Sequence, residues 1–220
     1  MLASRPFLGQ LLLILASSTA VPADFREIRM KMLHVAIAAL AVPVCLSAQQ
    51  TAATPPVNPI TTVFRTRTLA QQRNIAQAFD SIPAAKFSYK PTPAQLTIGY
   101  VAQHLANDNY FFCNNFGDAK ATRPERDTAT PDSVKATWPK DSLVAKLKES
   151  FAFCETALNQ LDDAKLADQI TQTFNGNTRQ STRAQFVLGH VADMADHYSQ
   201  IANYMRLNGL VPPTAQPRRN

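Results

Sequence analysis

The sequence predicts an all-α protein built as a four-helix bundle. Four long stretches carry apolar residues at three- and four-residue steps. Each is stopped by Pro, Gly or an Asn-Gly turn. No segment alternates apolar and polar side chains well enough to read as a strand.

Residues 1–48 read as an export segment rather than part of the bundle. A first apolar run spans Phe7 to Ala20 behind Arg5, and a second, Leu33 to Leu46, follows Lys31 and ends in Leu46-Ser47-Ala48. A basic start, a short apolar run and a small-residue exit mark a secretory signal peptide. Both runs fall short of the roughly 20 apolar residues a membrane span needs. The second run places the true start at Met30 or Met32. An N-terminal membrane anchor is the alternative reading, and lipid attachment at Cys45 fits its flanks poorly. Residues 49–61, rich in Thr, Ala and Pro, read as a flexible leader, 62–213 as the bundle and 214–220 as a tail.

The first helix is expected from Thr62 to Ile82, with Phe64, Leu69, Ile75, Ala76 and Phe79 as its stripe and Pro83 as its stop. Thr92-Pro93-Ala94-Gln95 has capping-box spacing and Thr97 is a second candidate cap. The second helix then runs to about Asn115 through Ile98, Val101, His104, Leu105 and Phe112. Residues 117–139, with Gly117, Pro124, Pro131 and Pro139, read as a long loop that Trp138 pins to the bundle. From Lys140 or Asp141 a third helix repeats Leu143, Leu147, Phe151, Cys154 and Leu158 on one face, ending between Leu161 and Ala167. A turn at Asn175-Gly176-Asn177 precedes the fourth helix, expected from Ser181 or Thr182 to Asn208, with Gly209 at its C-cap and Pro212-Pro213 beyond.

Composition narrows the function. The full chain carries +6; without residues 1–48 it loses four basic and two acidic groups, leaving 18 basic, 14 acidic and a net +4. That charge is modest and scattered, with no basic cluster interleaved with aromatics, so nucleic-acid binding is excluded as a reading. After signal cleavage no membrane span remains. P-loop and dinucleotide-binding motifs are absent. Cys113 and Cys154 are the two cysteines left in the exported chain, which favours one disulfide over two buried thiols.

Three histidines remain outside the export segment: His104, His190 and His197. His104 shares a face with Val101, Leu105 and Phe112. His190, Asp193 and His197 are spaced i, i+3, i+7, which puts them on one helical face. Imidazole nitrogen and carboxylate oxygen bind a divalent ion such as zinc at about 2.0–2.2 Å, and a two-histidine, one-carboxylate set also suits iron or nickel. The alternative is that the histidines are hydrogen-bonded at the core edge while Asp193 and Asp196 face water.

Two stretches resemble the DinB-like family. Leu96-Thr97-Ile98-Gly99-Tyr100-Val101-Ala102-Gln103-His104-Leu105 is similar to the family's second-helix segment, which ends in a metal-binding His, here His104. The stretch from Asp196-His197-Tyr198-Ser199-Gln200 through Tyr204-Met205-Arg206 to Gly209 and Pro212-Pro213 resembles the fourth-helix signature, with His197 at a metal-binding position. The resemblance covers residues 62–213. It implies a DinB-like bundle holding a divalent Zn, Ni or Fe ion on His104, Asp193 and His197, with His190 as the alternative ligand. Asp193 stands where the family typically carries a third His, and Ser199 stands where it usually carries Gly. The resemblance also implies a Cys113–Cys154 pairing and a homodimer. Metal-dependent hydrolase or thiol-dependent transferase chemistry in a periplasmic or extracellular setting is the expected function, with hydrolysis favoured because a cytosolic thiol is out of reach. The alternative is a non-catalytic binding bundle with a degraded metal site.

Overall fold

The computed structural model describes residues 57–174 and 176–217. The expected export segment and most of the leader lie outside the described residues. Four long helices, α1 (Pro59–Ser81), α2 (Ile98–Cys113), α5 (Lys140–Leu158) and α6 (Arg183–Leu207), form the bundle. Two short helices, α3 (Glu125–Ala129) and α4 (Asp132–Lys135), cross between α2 and α5. A hairpin of β1 (Gln169–Phe174) and β2 (Asn177–Thr182) leads into α6. Among the described residues no helix is long and apolar enough to cross a membrane.

The long helices close a ring: α2 packs on α5 and α6, and α1 packs on α6 and α5. The stripe read on the third long helix is the core itself, with Leu143, Leu147, Phe151, Cys154 and Leu158 all buried. Ile75, Phe79, Leu105, Leu147, Ile201 and Met205 meet around one centre. Phe116, Leu158, Phe186, Val187 and the two cysteines form a second cluster nearer the end of α2.

Local chemistry fixes the helix ends. Thr97 accepts from the Tyr100 amide at 3.1 Å and starts α2, so the downstream of the two candidate caps is the one used. A capping box starts α6: Gln185 N donates to Thr182 Oγ1 at 3.3 Å, and Thr182 N to Gln185 Oε1 at 2.7 Å. Gly209, at φ 72°, ends α6, and Leu210 N donates to Met205 O in the Schellman pattern. Helix α1 begins three residues before the expected Thr62, because its cap comes from a distant residue. Asp163 accepts from Ile60 N at 3.0 Å and Thr61 N at 2.7 Å.

Two expectations are corrected. The 117–139 segment is not a plain loop, since α3 and α4 lie within it, held by buried charges. Asp127 meets Lys146 at 2.6 Å and Arg123 at 2.6 Å, and Lys135 meets Asp132 at 2.8 Å. The chain also contains strands. The hairpin pairs Gln169 with Thr182 through to Phe174 with Asn177. Its mostly Gln, Thr, Arg and Ser side chains show no apolar alternation, though Ile170 rests on the second core cluster, so backbone pairing and the turn at Gly176, φ 76°, define it rather than an apolar stripe.

A disulfide joins Cys113 at the end of α2 to Cys154 in α5, with Cα atoms 5.1 Å apart across 41 residues of sequence. Replacing both cysteines with Ser is expected to lower unfolding free energy by about 2–4 kcal/mol. Urea denaturation of the two proteins checks this. A loss within error of zero would show that the bridge leaves the unfolded ensemble unconstrained.

Candidate metal centre

The centre arises from two four-residue steps that run in opposite senses. On α2, His104 precedes Asp108; on α6, Asp193 precedes His197. Each pair lies one turn apart on one face. The helices run antiparallel, so His104 meets His197, their rings 4.9 Å apart and perpendicular. One turn along, the charge of Asp108 acts on Asp193. A turn further, Phe112 packs on Gly189, where an added Cβ would come 2.8 Å from the ring. Gly189 therefore lets an aromatic ring floor the centre below the carboxylates.

His104 Nε2 lies 3.0 Å from Asp108 Oδ2, and His197 Nε2 lies 3.5 Å from Asp193 Oδ1. The ligand atoms of His104, Asp108 and His197 are all within 4.8 Å of one another. Gln200 settles the tautomer of His197: Nδ1–H donates to Gln200 Oε1 at 3.1 Å, and Gln200 Nε2 donates to Tyr204 Oη at 3.0 Å. His197 Nε2 thus turns a lone pair toward the cluster, the arrangement that metal-binding histidines adopt.

The electrostatics fit a cation. Burial pushes the Asp108 carboxyl up to about 6. Burial, and then the Asp108 charge, push Asp193 up to about 6. Burial, and then His197, hold His104 below the usual imidazole value. Asp193 Oδ2 is buried without a hydrogen-bond partner. Two half-buried carboxylates that resist ionisation beside an imidazole, His104, that resists protonation form a donor set that a divalent ion would relieve.

Three residues singled out in the sequence lie here: His104 and His197 in the mutually close set, and Asp193 beside His197 Nε2 at 3.5 Å. Asp108 was not among them, although it stands four residues after His104 as His197 stands four after Asp193. His190 does not join them. Seven residues along a helix span about 10 Å, so His190 lies two turns below His197 and meets the second core cluster. It is fully buried, with Nε2 2.8 Å from Asn109 Oδ1. Asn109 Nδ2 in turn donates to Ser150 Oγ at 2.8 Å. The sulfurs near His190, at 3.8 and 3.7 Å, are those of the Cys113–Cys154 bridge. Burial alone pushes its pKa down to about 3, so this imidazole stays neutral.

Solved structures share this architecture. A DinB-like protein from Bacillus cereus ATCC 10987 is 18% identical at a TM-score of 0.53, over 68% of this chain and 93% of that one. A DinB-like protein of Bacillus subtilis, YjoA, is 17% identical at 0.53, over 71% and 99%. The mycothiol-dependent maleylpyruvate isomerase is 13% identical at 0.52, over 64% of this chain and 60% of that one. These likenesses are of fold. No protein of curated function matches the sequence. The model of the DinB superfamily matches residues 67–201, most of the bundle and both halves of the histidine–carboxylate centre, and the chain belongs to that superfamily.

Proposed function

We propose that the chain is a divalent-metal-dependent hydrolase acting outside the cytoplasm, with His104, Asp108, Asp193 and His197 as its ligand set. The observation that carries this reading is the mirrored pairing of His104–Asp108 with Asp193–His197 across α2 and α6. A bound zinc, nickel or iron ion would supply Lewis acidity and an activated water. The protein's own part is to hold the donors ready. Gln200 fixes His197, Phe112 closes the floor, and the half-exposed edges of His104 and Asp108 leave an approach from solvent.

The Cys113–Cys154 bridge supports an oxidising compartment. That setting disfavours a low-molecular-weight thiol as cosubstrate, the chemistry named for the mycothiol-dependent isomerase of the same fold. A second reading, a non-catalytic binding bundle, is favoured by one feature: Asp193 occupies the position at which the family resemblance implies a third His.

Metal content decides between them. Residues 49–220, purified without chelator, should carry near-stoichiometric divalent metal, and the His104→Ala/His197→Ala variant should carry none. Hydrolysis of ester and amide substrates should vanish on chelation and return with metal. Failure to take up zinc, nickel or iron on reconstitution would overturn the enzyme reading in favour of the binding bundle.

A further inference from the structure

A cavity of about 720 Å³ opens between the 3-10 turn Ala84–Lys86, the start of α2 and the junction of α4 with α5. That volume lies in the range of small-molecule sites. Its walls include Phe87, Leu96, Tyr100, Ala136, Trp138 and Pro139. Tyr100 is shared with the metal centre: it lines the cavity, and its ring centroid lies 6.0 Å from that of His104, one turn along α2.

The cavity offers little to a charged ligand. The one cation on its wall, Lys140, is committed elsewhere. Its Nζ donates to Asp80 O at 2.8 Å and Ile82 O at 2.7 Å, and lies 5.9 Å from the Phe87 ring. Asp141, the one anion, sits in the first turn of α5, where the helix dipole favours it. Trp138 is held from behind by the Arg126 guanidinium, 4.7 Å from its ring. At the rim, Gln95 also borders a polar depression of about 320 Å³ lined by Asp196, Ser199, Gln200 and Asn203. Gln200 is the residue that holds His197. Apolar space thus reaches Tyr100, the neighbour of His104, polar space reaches Gln200, the partner of His197, and the charge in the polar part, Asp196, is negative.

We propose that the Tyr100–Trp138 cavity binds the neutral apolar acyl or aryl group of an amide or ester whose polar, uncharged or amine-bearing end rests against Asp196 and Asn203. Its catalytic meaning rests on the hydrolase reading above; its binding does not. Hydrolysis in this position breaks the acyl C–N or C–O bond. Water supplies the oxygen to the acyl carbon and a proton to the departing amine or alcohol, and no further co-reactant is needed.

Trp138 is the chain's single tryptophan, so its emission reports on this cavity. Titration with hexananilide, a neutral apolar amide, should change that emission saturably, and hexanoate should bind at least 10-fold more weakly. Leu96→Asp and Ser133→Phe, both at exposed wall positions, should each weaken hexananilide at least 10-fold while circular dichroism stays unchanged. In the His104→Ala/His197→Ala variant, binding should stay within twofold of the parent. No saturable change in the parent, or binding undiminished in both wall variants, overturns the proposal. Binding that persists in a parent that takes up no metal keeps the cavity and refutes the hydrolase reading alone.

Discussion

With Asp108 replaced by Asn, affinity for a divalent ion is expected to fall by at least about 100-fold while helical content stays at the parent level. Loss of an outer-shell partner alone typically costs 10- to 100-fold, and Asp108 is a direct neighbour of His104 Nε2 at 3.0 Å. Asparagine keeps the shape and removes the charge that offsets the ion. It also removes the repulsion that raises Asp193, so the folded, metal-free protein should tolerate the change. Gln200→Ala should cost less, about 10- to 100-fold, because it frees the His197 ring without deleting a donor. His190→Asn should leave metal affinity unchanged and lower stability, since His190 fills a buried site beside the disulfide. Competition titration against a chromophoric chelator separates the three. Equal affinity in the parent and Asp108→Asn would show that the ion sits on His104, Asp193 and His197 without Asp108.

Much of this centre was legible in the sequence, and its gaps have physical causes. Periodicity identifies the face a residue occupies on its own helix, and the family resemblance then singled out His104, Asp193 and His197 on those faces. It does not give the register of α2 against α6, and Asp108 becomes a candidate only when the two helices are laid antiparallel. His190 shows the converse limit. It shares a face with His197, yet the axial rise carries it into the disulfide cluster. The start of α1 escaped for a related reason, since its cap, Asp163, lies 103 residues from Ile60. The long helices were readable because each buries a stripe, although α1 turns Leu69 outward and buries Thr68 and Gln72. The hairpin and the short helices α3 and α4 bury no such stripe. They depend on backbone pairing and on ion pairs, of which Arg123–Asp127 and Asp132–Lys135 are local but the tie to the bundle, Asp127–Lys146, reaches the next long helix, and none of these shows as an apolar pattern.

That ion-pair network carries the largest expected stability effect. Asp127→Ala should lower unfolding free energy by about 3–5 kcal/mol, the usual result of removing one partner from a buried charge cluster. The side chain of Asp127 is 9% exposed, between Lys146 and Arg123, each at 2.6 Å. Asn107 Oδ1 accepts from both cations, at 2.9 and 2.8 Å, and cannot neutralise them. Without Asp127, Lys135 keeps Asp132 at 2.8 Å, while Arg123 and Lys146 lose the carboxylate that each meets at 2.6 Å. The crossover they hold also supplies Ala136 and Trp138 to the cavity wall, so hexananilide binding should weaken along with stability. Acid distinguishes this mechanism from simple loss of packing. Burial would raise the proton affinity of Asp127, but Lys146 and Arg123 outweigh it and hold the carboxyl below its ordinary value of 3.8. A carboxylate depressed by folding contributes stability that is complete above the unfolded value and lost as pH falls through the folded one. The gap between parent and Asp127→Ala in urea unfolding should therefore be constant at neutral pH and narrow only below about 3.8. A gap independent of pH down to the acid transition would mean that Asp127 acts by filling space, and that the buried cations of the crossover are balanced elsewhere.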